Sequence, residues 1–194
     1  MILEAIENFY TKPQEKPREI GHYFASELWY IYKGYTTTGN FFKKDPPDKK
    51  GMANMFRGSA CEDMLCKILT GQKVDFKSQE RFELKVDDGI FISGKLDFNF
   101  SDYILETKCP EKPTSGVPDK WSFQLETYFR MTGKKVFLGI FDKEGDSIIR
   151  FFPFEPSDVR WELIKQTLIN FHEKLVRKNV KVEKSNIKTK TKCA

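Results

Sequence analysis

The sequence predicts an α/β fold of the α+β type, with a central mixed β-sheet that contains an antiparallel meander and is flanked by helices. Two observations support this fold class. A stretch of helical periodicity at 57–71 precedes three strand-like segments between 81 and 109, and a helix, two strands and a last helix follow. This order of elements is typical of a mixed sheet packed by helices.

The length of 194 residues predicts one domain with a substantial core. A hydrophobic fraction of 39% and a mean hydropathy of −0.54 are typical of a soluble globular protein. No stretch approaches the roughly 18 apolar residues of a membrane span. The acidic start MILEAIENFY also lacks the basic region of a secretory signal. We therefore expect a cytoplasmic protein without a membrane partner.

The net charge of +5 is concentrated at the C-terminus. From 177 to 194 the chain has seven basic residues and one acid, so this segment carries +6 and residues 1–176 carry −1. Solvated disorder is the common state of such a basic tail, although the tail can hold phosphates loosely. The expected organisation is one domain at 1–178, with a helical N-terminal region at 1–55, and a disordered basic tail at 179–194.

The four cysteines show no metal-binding spacing. They lie at 61, 66, 109 and 193, without a CxxC pair or a zinc-like pattern. We therefore expect reduced thiols in an intracellular protein.

The first half of the chain contains two predicted helices separated by a loop. Ile20–Lys33 has helical periodicity, and the stretch 35–52 is rich in Gly, Pro and Lys, which predicts a loop. The helix at 57–71 has an apolar stripe formed by Ala60, Cys61, Met64, Leu65, Ile68 and Leu69. Glu62 lies at the edge of that stripe, about 20° from its last leucine on a helical wheel.

Three strands then form the predicted meander. The first begins at Arg81 and ends in the hairpin turn Asp88-Gly89. The second runs from Ile90 to Phe100 and the third from Tyr103 to Cys109. The later elements are a helix between Pro118 and Gly133, strands at Lys134–Phe141 and Ser147–Phe152, and a last helix at Ser157–Val176.

The second hairpin places charged residues where core residues are expected. If Ser101-Asp102 is a two-residue turn, the numbers of residues paired across the hairpin sum to 203. Asp97 then lies opposite Glu106, with Cβ atoms about 4.5–5.5 Å apart, and Lys108 points to the same face. Opposed like charges on a half-buried strand pair are destabilising, and a divalent cation is the simplest group to offset their repulsion.

Two other acidic-x-Lys triplets occur, and neither has this geometry. Asp48-Lys49-Lys50 lies in the predicted loop. Pairing about the first turn places Glu83 opposite Gly94 and Lys85 opposite Ile92, so no second acid faces that triplet. The alternative to a metal site is that Asp97 and Glu106 lie on the charged, solvent-exposed face of an ordinary surface hairpin.

The helix after the hairpin has two polar residues on one face. Gln124 and Tyr128 are separated by four positions, with Trp121 one turn earlier. Considered alone, they fit an amphipathic core helix with a polar edge. Next to a carboxylate pair, however, an amide and a phenol could hold a metal-bound water or a phosphate.

The ordered set Glu62, Asp97, Glu106-Thr107-Lys108 and Gln124-x-x-x-Tyr128 resembles the PD-(D/E)xK nuclease superfamily. Over residues 55–152 it is similar to the RecB-like branch, which includes CRISPR-associated RecB-type nucleases and related phage and archaeal-virus exonucleases. The sequence RGSACE resembles the helix motif that precedes the core, with Glu62 last, as in the lambda-exonuclease type. The resemblance implies a restriction-endonuclease-like core.

The resemblance also implies a Mg²⁺- or Mn²⁺-dependent deoxyribonuclease. Its metal ligands would be the oxygen atoms of Glu62, Asp97, Glu106 and the Thr107 carbonyl. Lys108 would orient the attacking water or stabilise the transition state. Gln124 and Tyr128 would position substrate or water. An iron–sulfur cluster is not expected, because the cysteines that bind it in iron–sulfur relatives have no counterparts in this sequence.

The implied partner is DNA, single- or double-stranded, and relatives that form rings imply a homo-oligomer. Basic residues expected at the DNA backbone are Lys43, Lys44, Lys49, Lys50 and Arg57. The expected activity is that of an exonuclease on linear DNA, with endonuclease activity on single strands in addition. We expect it to act in recombination or repair, and in the host cytoplasm if the protein is viral. A catalytically silent DNA-binding protein with the same fold is the second hypothesis, and a structural protein with a charged hairpin is the third.

Overall fold

Within the described residues, six strands form one mixed sheet. The structure, a computed structural model, describes residues 18–43, 47–112, 114–141 and 148–190 together with Glu4 and Asn8, with side chains as far as Asn179. Helices α1–α4 are Leu28–Tyr32, Lys49–Gly71, Asp119–Thr132 and Asp158–Lys190. Strands β1–β6 are His22–Phe24, Lys77–Asp87, Ile90–Asn99, Tyr103–Lys108, Lys135–Phe141 and Ile149–Phe154. The predicted α/β class with a mixed sheet is confirmed.

The pairing of β3 leaves an opening in the sheet. β3 has antiparallel β2 along one edge. Its other edge is shared by two strands, because parallel β1 pairs with residues 91–93 and antiparallel β4 pairs with residues 98–99. Beyond β4 the sheet continues through parallel β5 to antiparallel β6. Residues 94–97 of β3 therefore have no strand on that edge among the described residues.

Helices cover both faces of the sheet. α1, α3 and α4 pack on one face, where Leu125 and Ile164 belong to the main core. On the other face Leu65 and Leu69 of α2 contact a smaller cluster that contains Phe98. None of the α2 residues is fully buried, so this helix shields the sheet mainly through half-buried side chains. Among the described helices, none combines the length and the apolar composition needed to cross a bilayer.

Helix α2 begins earlier than the sequence predicts. The prediction of a loop is wrong for residues 49–52, and the predicted helix start at 57 is eight residues too late. The helix begins at Lys49 because Asp48 caps it. Its Oδ1 accepts a hydrogen bond from the Gly51 N–H at 2.7 Å, which satisfies an amide that the first helical turn leaves unpaired. Lys49 and Lys50 therefore lie in the first turn of α2 rather than in a loop.

Both ends of the described chain also differ from the predictions. The helix predicted at Ile20–Lys33 is replaced by β1, a 3₁₀ turn and the short α1, because His22–Phe24 pairs with the distant strand β3. α4 extends to Lys190, whereas the sequence predicts its end near Val176. No Gly or Pro occurs between 158 and 190 to stop the helix. Residues 191–194 and most of 1–17 lie outside the described residues.

Candidate active site

The candidate site lies at the opening in the sheet, where β3 and β4 separate. Their register agrees with the prediction, because the paired residues of 98–99 and 104–105 have numbers that sum to 203. The ladder ends there, so Asp97 and Glu106 lie just past its paired part. The Thr107 N–H instead donates to Asp97 Oδ2 at 2.8 Å, and Thr107 Oγ1 donates to the same oxygen at 3.0 Å. The Asp97 carboxylate thus connects the two strands where they diverge.

Strand β2 is irregular opposite Asp97. Gln79 occupies the facing position but is unpaired in the ladder, and its φ of 57° lies in the left-handed region that is uncommon for residues other than glycine. Its Nε2 donates long hydrogen bonds to Asp97 Oδ1 at 3.5 Å and to Glu62 Oε2 at 3.4 Å. Gln79 therefore links the acid on β3 to the acid on α2. Sequence reasoning missed this residue, since nothing in the local pattern marks a glutamine for positive φ.

Glu106 is at the centre of a buried hydrogen-bond chain. Its side chain is 2% exposed, and Oε1 accepts hydrogen bonds from Lys108 Nζ and, at 2.7 Å, from Gln124 Nε2. Gln124 Nε2 also donates to Tyr128 Oη at 2.7 Å, and Tyr128 Oη donates to the Lys95 carbonyl at 3.0 Å. That carbonyl belongs to the open segment of β3, so the tyrosine satisfies an acceptor that a neighbouring strand would otherwise bind.

Burial and mutual repulsion change the protonation of the acids. Burial, followed by the nearby Asp97 carboxylate, raises the pKa of Glu106 to about 8, although Lys108 opposes this shift. The same two causes raise the pKa of Glu62 to about 7. Burial disfavours the charged form of Lys108, but the acids, Glu106 foremost, outweigh it and raise the pKa of the lysine. Full ionisation of the three acids would leave more negative charge than one lysine neutralises, which is why two of them keep their protons to a higher pH.

One oxygen of this cluster has no protein partner. Glu106 Oε2 is buried without a hydrogen bond to any described residue, which is costly for a carboxylate oxygen. Hard oxygen atoms such as these suit Mg²⁺ or Mn²⁺, and a cation would lower the raised pKa values of Glu106 and Glu62. In the described part of the chain, however, no three His, Cys, Asp or Glu side chains are gathered closely enough to hold a metal. A ligand set that includes Glu62 therefore requires this side chain to approach Asp97, past the Gln79 amide.

A cleft of about 560 Å³ lies beside the acids, and Glu62 is the acid of this cluster that lines it. Its lining includes Glu62, Lys108 and Gln124, and also Lys120 and Trp121 at the start of α3. The Lys120 ammonium lies 4.4 Å from the centroid of the Trp121 ring. A cleft of this size accommodates a nucleotide, and a cation beside an aromatic ring suits a phosphate beside a base. The sequence places Trp121 near Gln124, whereas Lys120 was not identified from it.

Solved structures with the same fold include two exonucleases. The alkaline exonuclease LHK-Exo from Laribacter hongkongensis, in complex with dAMP, matches with a TM-score of 0.66 over 88% of this chain and 95% of that one, at 14% identity. A phage-related exonuclease from Haemophilus somnus 129PT matches with a TM-score of 0.55 over 81% and 96%, at 14% identity. The protein SSO0001 matches with a TM-score of 0.62 over 87% and 86%, also at 14% identity. This chain shares the fold of these exonucleases.

The fold implied by the sequence motifs is therefore confirmed. No protein-family model matches the sequence, and no curated protein matches it at a significant level. At 14% identity these similarities establish the fold alone.

The basic residues predicted to contact DNA do not line the cleft of this fold. Those that the structure describes are Lys43, Lys49, Lys50 and Arg57. Lys50 is exposed and forms an ion pair with Glu111 at 3.0 Å. Arg57 Nη2 donates to Asn54 Oδ1 at 2.6 Å on its own helix. Lys44 lies outside the described residues. These side chains are therefore available only to DNA that extends beyond the cleft.

The rival triplet on β2 has no second acid opposite it. A bulge between Lys85 and Asp87 shifts the β2–β3 register by one residue, so the predicted pairs with Gly94 and Ile92 are wrong. Glu83 faces Ser93 and Lys85 faces Phe91. The side chains of Glu83 and Lys85 are 53% and 58% exposed, which makes this triplet an ordinary solvated face.

Proposed function

We propose that this chain is a Mg²⁺- or Mn²⁺-dependent deoxyribonuclease that hydrolyses the phosphodiester bonds of DNA. The observation that carries the proposal is the buried Glu106 Oε2, which has no partner among the described residues and lies in the cluster with Asp97 and Lys108. Such a buried oxygen, beside Lys108 and Gln124 of the cleft wall, suits a hard divalent cation. The proposed ligands are oxygen atoms of Glu62, Asp97, Glu106 and the Thr107 carbonyl.

The side chains around the acids have distinct roles in this proposal. When bound, the cation polarises the scissile phosphate and makes a water molecule nucleophilic at neutral pH. The Lys108 ammonium, held by Glu106, donates to a phosphate oxygen or orients the attacking water. Gln124 fixes Glu106 Oε1 and Tyr128 fixes Gln124, so these two residues position the acid and the substrate.

The proposed substrate is linear DNA, attacked from its ends. Two of the structural neighbours are exonucleases, and one of them was solved with dAMP. The cleft of about 560 Å³ has the size for a terminal nucleotide, with Lys120 and Trp121 at its phosphate and base. Lys43, Lys49 and Lys50 would contact phosphates further along the strand. Cleavage within single strands is proposed as an additional activity.

The test compares end-labelled linear duplexes, single strands and closed circles with Mg²⁺, Mn²⁺ or a chelator. We expect linear DNA to be degraded only with metal, and Asp97→Asn and Lys108→Ala to lower kcat by about 100-fold or more. Asp97→Asn keeps an oxygen for the Thr107 N–H, so the fold should survive. Lys85→Ala is the matched control from the rival triplet, and its activity should stay near wild type. Wild-type protein that is folded but leaves every substrate intact with both metals would refute the proposal.

A catalytically silent DNA-binding protein is the second candidate. It is favoured by one observation, namely that no three metal-binding side chains converge in the described part of the chain. Calorimetry with Mn²⁺ separates the two candidates. Binding that Asp97→Asn weakens supports the nuclease, whereas DNA binding without any Mn²⁺ site supports the silent protein.

A further inference from the structure

Two cysteines from different elements meet beside the candidate active site. Cys61 of α2 and Cys109, directly after β4, have sulfur atoms 3.7 Å apart, close enough for a thiol hydrogen bond. Both side chains are partly exposed and line a second cavity of about 320 Å³. A small oxidant can therefore reach a pair of thiols that are already in contact.

We propose that Cys61 and Cys109 are a redox modification site, which forms a reversible disulfide that locks α2 to the end of β4. Cys61 directly precedes Glu62, and Cys109 directly follows Lys108. The bond therefore fixes the two elements that carry this acid and this lysine. α2 has no fully buried side chain, so a covalent link supplies an anchor that its apolar contacts do not. The proposal does not depend on nuclease activity.

The chemistry balances with hydrogen peroxide as the oxidant. One thiol, as the thiolate, attacks the O–O bond, which gives a sulfenic acid and releases one water. The second thiol attacks this sulfur, the S–S bond forms, and the hydroxyl group leaves with a proton as a second water. The two electrons lost by the sulfur atoms reduce the peroxide bond. Two molecules of glutathione reverse the reaction and are themselves joined in a disulfide.

The experiment uses the full chain with Cys193→Ser, which prevents cross-linking through the C-terminal thiol. Reduced protein is treated with hydrogen peroxide, remaining thiols are alkylated, and the digest is analysed by mass spectrometry. We expect one linked peptide pair containing Cys61 and Cys109, and its loss after glutathione treatment. Because the bond closes a loop across 48 positions, oxidation should raise the melting temperature by about 5 °C or more.

Three variants distinguish this pair from general thiol oxidation. Cys61→Ser and Cys109→Ser should each abolish the linked peptide and the rise in melting temperature. Cys66→Ser is the matched control, because Cys66 lies on the same helix but packs against the smaller core cluster, and it should retain both. The proposal is overturned if wild-type thiols become sulfinic acids without a link, if the link uses Cys66, or if the link leaves the melting temperature unchanged. The wild-type peptide map decides the matter even where a serine variant fails to fold.

Discussion

Of the two glutamates of the site, Glu106 has the environment that disfavours a negative charge more. Its pKa rises from 4.5 to about 8, and that of Glu62 to about 7, because burial and the neighbouring acids favour their neutral forms. The folded protein therefore keeps protons that the unfolded chain releases between these pH values. The resulting stability is fully present below pH 4.5 and is lost as the pH rises through the raised pKa values.

We accordingly predict that the metal-free protein becomes less stable from about pH 5 to about pH 8, by roughly 1 kcal/mol per pH unit for the buried Glu106 and by less for the partly exposed Glu62. Urea unfolding in a chelator at three pH values measures this slope. Glu106→Gln should flatten it and stabilise the protein at about pH 8, whereas the exposed control Glu83→Gln should leave it unchanged. Equal slopes for wild type and Glu106→Gln would contradict the prediction.

The residues that sequence reasoning found are those whose neighbours follow from local periodicity. The turn at Ser101-Asp102 fixes which residues of β3 and β4 face each other, and a four-residue spacing joins Gln124 to Tyr128. Gln79 could not be found in this way, because its left-handed backbone arises where β2 meets the irregular part of β3. Lys120 belongs to the site only through the shape of the cleft.

At the scale of elements, the close contact between β3 and α3 positions the hydrogen-bond chain. Gly94 lies in the open segment of β3, and a Cβ added there would be 2.7 Å from Tyr128 Cε1 and 3.3 Å from Met131 Sδ. The Tyr128 ring can therefore reach the Lys95 carbonyl only because residue 94 has no side chain. This contact explains a glycine in the middle of a strand, where glycine otherwise destabilises.

Gly94→Ala should push Tyr128 away from Lys95 and Gln124. We predict a loss of about 1–3 kcal/mol in the free energy of unfolding, together with a lower rate of the proposed nuclease reaction. Gly71→Ala on α2 is the control, since its Cβ would meet no described atom within 4 Å beyond its chain neighbours and its own helix backbone, and it should be neutral or stabilising by up to about 1 kcal/mol. Urea unfolding measures the change in stability, and the end-label assay measures the change in activity. A Gly94→Ala protein as stable and active as wild type would show that Tyr128 does not require a glycine at position 94.

The opening in the sheet could not be predicted from the sequence, although the second hairpin could. A hairpin register depends on a turn within the segment itself. The opening depends on β1, whose three residues pair with a strand about 70 positions later and carry no strand pattern of their own. α3 differs from expectation for a similar reason. A polar edge is predicted, yet residues 122–128 are all buried because helices and the sheet surround them.

At the scale of the whole molecule, Glu126 connects α3 to the start of α4. Its side chain is fully buried and accepts hydrogen bonds from Arg130 Nε, Arg160 Nη1 and the Ser157 N–H, each at 2.9 Å. α3 also carries Gln124, so this ionic cluster fixes the helix that supports the candidate site. A buried carboxylate with complete partners stabilises the arrangement as long as no partner is removed.

Glu126→Ala removes the acid of Arg160 and the Ser157 N–H and leaves Arg130 with the exposed Asp158 alone. We predict a loss of about 3–5 kcal/mol in the free energy of unfolding, measured by chemical denaturation. Asp158→Ala is the control, because Asp158 also binds Arg130 but is 91% exposed, and it should cost less than about 1 kcal/mol. Similar losses in the two variants would show that the burial of Glu126 does not determine its contribution to the free energy of unfolding.

Helix α2 packs on the sheet without a fully buried side chain, and this affects how often the candidate site is complete. Asp97, Glu106 and Lys108 belong to a hairpin within the core sheet, so they come together as soon as that sheet forms. Glu62 belongs to a helix without a fully buried residue, and such a segment opens at a lower free energy than the global unfolding of the protein. A fraction of folded molecules therefore has the hairpin acids in place and the fourth charged group absent. The proportion of complete sites is set by the opening equilibrium of one helix.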